Sequence, residues 1–201
     1  MISDEYKFVF ILLPKTGTTS IVRSIHKLGN KVDKNKFWAA EKHYDKIENN
    51  HLYYLKVATC RNPYSRCISI WKYWNSRFNQ IKTPTVSFPY FMSRFLKIKN
   101  NTINTFGILE EIHFTSSVEG VSLATGGILS HIDIDFWIKF ESLQEDFNIF
   151  LDKTGLQRRQ LPHKNATQHR HYIEYYDDET REIVAEKYAK DIDYFGYKFG
   201  E

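Results

Sequence analysis

The sequence predicts an α/β fold of three layers, with a central, mainly parallel sheet flanked by helices. Three strand–loop–helix units predict it. The apolar run Phe8–Leu13 stops at Pro14 and feeds a Gly-containing turn and a helical pattern. The β-rich stretch Leu52–Cys60 leads to Pro63 and a second helix. Asp135–Phe140 leads to a third helix over Ser142–Thr154. Strands that alternate with helices pair in parallel, because each helix carries the chain back across the sheet.

Phe8–Leu13 is apolar at every position, as a strand buried on both faces must be. Ile21, Ile25 and Leu28 then recur at helical spacing over Ser20–Leu28, with Gly29 as the stop. Pro63 suits a first helical turn, and Ile68, Trp71 and Trp74 form the apolar stripe behind it. Residues 75–129 hold Pro84, Pro89, Asn100-Asn101 and Gly126-Gly127, and read as loops around short helices near Tyr90–Lys97 and Ile108–Ile112. In Ser142–Thr154, Ser142 and Glu145 have the spacing of a capping box, Leu143, Phe147, Phe150 and Leu151 share a face, and Gly155 ends the helix. Asp178–Asp191 is amphipathic and is predicted as the final helix. No repeat, low-complexity segment or Pro/Gly/Ser linker interrupts the chain, so residues 1–201 are expected to form one domain.

Composition narrows the function. Apolar residues make up 42% and charged residues 26%, the balance of a globular protein. The net charge of +4 suits an anionic ligand but is too small to indicate nucleic acid by itself. Cys60 and Cys67 have no other Cys or His at ligand spacing, so two reduced core thiols are expected, with neither a disulfide framework nor a metal site. The first apolar run spans six residues and has acidic flanks, which predicts neither signal peptide nor transmembrane segment and a cytoplasmic location.

Two motifs carry the chemistry. Pro14-Lys15-Thr16-Gly17-Thr18-Thr19-Ser20 lies between a buried strand and a helix start. Free backbone N–H groups and the helix dipole favour an anion there. Gly17 allows close approach, the hydroxyls of Thr18, Thr19 and Ser20 add donors, and Lys15 adds charge. A Walker A loop places its lysine after the glycines, whereas this one places it before, which disfavours ATP or GTP. The second motif, Arg61-Asn62-Pro63-Tyr64-Ser65-Arg66-Cys67-Ile68-Ser69, follows the second strand. Arg61 offers a two-pronged donor to a phosphate, and Ser69 lies two turns into the helix.

These motifs resemble those of the 3′-phosphoadenosine 5′-phosphosulfate (PAPS)-dependent sulfotransferases, closest to the carbohydrate branch. Weaker matches extend the resemblance over nearly the whole chain: Trp137–Phe147, the Leu161–Thr167 loop and the Tyr188–Phe199 ending. The resemblance implies a P-loop-like fold and sulfuryl transfer from PAPS to a hydroxyl, with a carbohydrate as acceptor and no metal. It assigns Lys15 through Ser20 to the 5′-phosphosulfate and Arg61 with Ser69 to the 3′-phosphate. Asn165 and Thr167, with Arg170 beside them, fall where the family's C-terminal loop meets the nucleotide.

Sulfuryl transfer requires a group that stabilises the leaving phosphate and a base for the attacking hydroxyl. Lys15 fits the first role. His43, in Glu41-Lys42-His43, resembles the segment that carries the base in several glycan sulfotransferases, and a histidine titrates in the right range. Glu41 is the alternative, since other branches use a glutamate; His113 and His163 are weaker candidates. Lys27, Lys31, Lys34, Lys36 and Lys42 could meet an anionic glycan or form a solvated face. Glu141 is expected to be a buried, partnered carboxylate. Two other functions compete: an atypical P-loop nucleotide kinase, which needs a magnesium-binding Asp after a strand, and a non-catalytic nucleotide- or glycan-binding module.

Overall fold

The structure is a computed structural model that describes residues 1–26, 47–80, 82, 84–96, 115–162 and 170–201. His43, Glu41, the lysine cluster, His113, His163, Asn165, Thr167 and the short helix expected at Ile108–Ile112 lie outside the described residues. The chain divides into two compact units, Met1–Arg61 with Ser117–Ala166, and Asn62–Ser116 with Thr167–Glu201.

The first unit holds the sheet. Its strands are β1 (Ile2–Ser3), β2 (Phe8–Ile11), β3 (Leu55–Cys60) and β4 (Phe136–Lys139), in the order β1-β2-β3-β4. β2, β3 and β4 run parallel, with Phe10 opposite Val57 and Ala58 opposite Trp137, and β1 is an antiparallel edge. The mainly parallel sheet flanked by helices is thus as predicted; the short edge strand β1 is additional. Every residue of β2 is buried, which explains its unbroken apolar sequence.

Helices α1 (Thr18–His26) and α5 (Leu143–Lys153) supply Ile21, Ile25, Phe147, Phe150 and Leu151 to a core shared with Phe8, Phe10, Val57 and Ile138. The Phe150 ring meets Phe8 and Phe10 edge-on, with centroids 5.2 and 5.4 Å apart. A further helix, α4 (Ser117–Ala124), packs against β3. Gly120 lets the helix lie close to Leu13, just beyond β2, since a Cβ there would stand 3.1 Å from Leu13 Cδ2.

Three sequence expectations in this unit need correction. The second strand begins at Leu55, because Asn49–Tyr53 forms a 3₁₀ turn held by the Glu48 N–H donating to His51 Nδ1 at 2.9 Å. Ser142 does not close a capping box with Glu145. Its hydroxyl donates to Asp146 Oδ2 at 2.9 Å, and the same oxygen accepts the Lys139 N–H at 2.8 Å, so one carboxylate ties β4 to α5. Glu141 is exposed rather than buried.

The second unit is helical. It comprises α2 (Pro63–Gln80), α3 (Phe88–Phe91) continuing into a wide turn over Met92–Leu96, α6 (Asp178–Lys187) and α7 (Ala189–Phe195). The expected last helix is two helices: the chain breaks at Tyr188, whose fully buried ring is anchored in the core. That core gathers Ile68, Ile70, Phe88, Phe91, Met92, Tyr172 and Val184 around Tyr188. Both cysteines are buried and neither is in a disulfide, and burial pushes the Cys67 thiol up to about 12.

Candidate active site

The β2–α1 loop is built by two deviations from ordinary backbone. Lys15 has φ of 66°, in the left-handed region that a lysine seldom enters, and Gly17 has φ of 85°. Gly17 is also required sterically, because a Cβ there would stand 2.9 Å from Leu143 Cδ2 and 3.1 Å from Phe140 Cδ2. A lysine held in a costly conformation at the head of a helix is the kind of strain that surrounding structure maintains at functional sites.

Thr16 holds the loop in place. Its buried hydroxyl donates to the Leu13 carbonyl at 2.7 Å and lies 2.5 Å from Thr59 Oγ1, which therefore supplies the proton of that second bond. The Thr16 side chain is thus spent on the scaffold, leaving its backbone N–H as the group it offers a ligand. Thr18 and Ser20 are half-buried and Thr19 is exposed, at the first turn of α1, where the N–H groups have no partner within the helix.

Arg61, at the end of β3, comes to the same loop. Its Nη1 donates to the Lys15 carbonyl at 3.3 Å, and its guanidinium carbon lies 3.9 Å from the centre of the Phe140 ring. Lys15 is half-buried, and burial first and the Arg61 charge second lower its ammonium from 10.5 to about 8. Two cations that disfavour each other, beside the Thr18 and Thr19 N–H groups at the head of a nine-residue helix, form a site that an anion would stabilise. The donors present fit a phosphate or sulfate, and the missing Gly17 side chain lets the loop pack directly against Leu143 and Phe140.

A model described as the sulfotransferase family matches residues 1–198. The chain belongs to the sulfotransferase family. No curated protein and no solved structure matches it. In this sulfotransferase the first unit brings Lys15, Thr16, Gly17, Thr18, Thr19, Ser20 and Arg61 together. Ser69 lies half-buried on α2, in the second unit. Arg170 is exposed there and stands 3.9 Å from Glu174.

Other motif residues prove to be structural. Asn62 Oδ1 accepts the Tyr64 N–H at 3.0 Å, capping α2 ahead of Pro63, while its Nδ2 donates to the Lys198 carbonyl at 3.0 Å. Arg66 is fully buried and donates to the Thr115 carbonyl at 2.8 Å. The chain's ending serves the same corner: Phe199 packs edge-on against Tyr64, 5.0 Å between centroids, and the Gly200 N–H donates to Tyr172 Oη at 2.7 Å. Sequence reasoning missed Thr59 and Phe140, each of which touches a motif residue across a large sequence separation. No helix among the described residues is long and apolar enough to cross a membrane.

Proposed function

We propose that this sulfotransferase moves a sulfuryl group from PAPS to a hydroxyl of a carbohydrate acceptor by in-line displacement. The observation that supports it best is the convergence of Lys15 and Arg61 on the left-handed loop at the start of α1. PAPS supplies an activated sulfuryl group on a phosphate leaving group. The protein's task is then to position the reactants and stabilise charge.

The backbone N–H groups of Thr16 to Thr19, with the Thr18, Thr19 and Ser20 hydroxyls, bind and orient the 5′-phosphate. The Lys15 ammonium stabilises negative charge as it grows on the departing phosphate oxygen. Its lowered proton affinity leaves it charged below about pH 8. Arg61 offers its fork to the 3′-phosphate, and the family resemblance assigns Ser69 to the same group. His43 takes the hydroxyl proton, with Glu41 as the alternative base, and Asn165 and Thr167 contact the nucleotide. No step requires a metal.

The test is transfer of radiolabelled sulfate from PAPS to a panel of hydroxyl acceptors, carbohydrates included, with EDTA present. Labelled carbohydrate that is absent with Lys15→Ala supports the proposal. Product confined to non-carbohydrate acceptors overturns the acceptor assignment, and undiminished turnover by Lys15→Ala overturns the mechanism.

A further inference from the structure

Phe140 has no part in the function proposed above, yet it touches two parts of the anion site. It begins the 3₁₀ turn Phe140–Ser142 directly after β4, and its half-buried ring faces the Arg61 guanidinium at 3.9 Å. The same ring stands 3.1 Å from where a Gly17 Cβ would be, so it walls the phosphate loop on one side. Arg61 meanwhile reaches the Lys15 carbonyl with Nη1. An arginine has many rotamers and loses side-chain freedom when it is fixed in one of them. Contact with the flat face of an aromatic ring offsets part of that loss.

The Asp146 carboxylate anchors the segment that carries the ring. It holds the Lys139 N–H at 2.8 Å and the Ser142 hydroxyl at 2.9 Å, clamping the backbone on both sides of Phe140. The stack therefore rests on a hydrogen-bonded corner of the sheet rather than on a free loop.

We infer that Phe140 is a positioning residue for nucleotide binding: its ring holds the Arg61 guanidinium beside the phosphate loop, so that Arg61 is already oriented when the nucleotide's 3′-phosphate arrives. This rests on the PAPS reading only for the identity of the nucleotide. Phe140 acts through Arg61, which distinguishes it from a residue that contacts the ligand itself.

The experiment pairs a ligand-free measurement with a binding measurement. Nuclear spin relaxation of the Arg61 Nε–H group reports whether the guanidinium is held. Titration with 3′-phosphoadenosine 5′-phosphate reports affinity. In Phe140→Leu, Arg61 becomes mobile and affinity falls about 3- to 30-fold, the range that a cation–aromatic contact supports. Phe140→Trp, which keeps a ring face, restores both. In an Arg61→Ala background the Phe140→Leu change costs no further affinity. Arg61 as rigid in Phe140→Leu as in the parent overturns the inference, and so does an equal loss of affinity with and without Arg61. If Phe140→Leu frees Arg61 but the parent binds no nucleotide, the PAPS reading fails and Phe140's hold on Arg61 stands. A matched melting temperature, or the Trp variant where Leu unfolds, keeps the comparison valid.

Discussion

Lys15 shows how one residue ties stability to ligand binding. Burial, and then the Arg61 charge, lowers its ammonium to about 8, against 10.5 in the unfolded chain. Between those values the unfolded state holds more protons, so this residue makes stability rise with pH over that window and burdens the fold below it. Anion binding has the opposite dependence, because it needs the charged form. Affinity for 3′-phosphoadenosine 5′-phosphate, measured by calorimetry from pH 6.5 to 9.5, should hold steady up to about pH 8 and fall above it. With Lys15→Ala the decline near pH 8 should vanish, and its persistence would assign that titration to another group. Lys15 was legible as a candidate phosphate-binding residue because its neighbours in sequence frame it. Its left-handed backbone was not, because a lysine seldom enters that region, and its proximity to Arg61 was not, because that contact joins residues 46 apart.

Elements show the same division between local and distant information. The strands β2, β3 and β4 and the helices α1, α2 and α5 were readable because apolar periodicity and Pro or Gly boundaries are local signals. Helix α4 was hidden, since Ser117, Gly120 and Ser122 weaken its propensity, and Gly120 is there to admit Leu13. The break at Tyr188 was hidden because amphipathic spacing continues through it; burial of that ring ends α6. The Ser142 cap was misread because Asp146, one residue beyond the expected Glu145, takes the hydroxyl. Two element-level outcomes follow. Gly17→Ala forces a side chain into a left-handed position against Leu143, and should cost about 1–3 kcal/mol in urea denaturation. Asn62→Ala removes the cap of α2 and its tie to Lys198, and should cost about 1–2 kcal/mol in the same assay. An unchanged midpoint in either variant would remove the structural role given to that residue.

At the scale of the whole molecule, each unit carries its own core. The first builds the sheet and the anion loop, and the second builds the helical shell in which the start of α2 is locked by the chain's last residues. The second sequence motif is divided between the units: Arg61 belongs to the first, and Asn62, which caps α2, to the second. The alternating pattern made the α/β class legible, whereas the division into two units follows from tertiary contacts that composition does not encode. The central claim, a sulfotransferase that takes a nucleotide phosphorylated at both the 5′ and 3′ positions, is tested most directly by thermal unfolding with 3′-phosphoadenosine 5′-phosphate against ATP, with EDTA present. At 100 times its Kd, the 3′-phosphorylated nucleotide should raise the midpoint by about 5–10 °C, with ATP at the same concentration giving a much smaller rise. An equal or larger rise with ATP, or a rise that appears only when magnesium is added, would contradict the account.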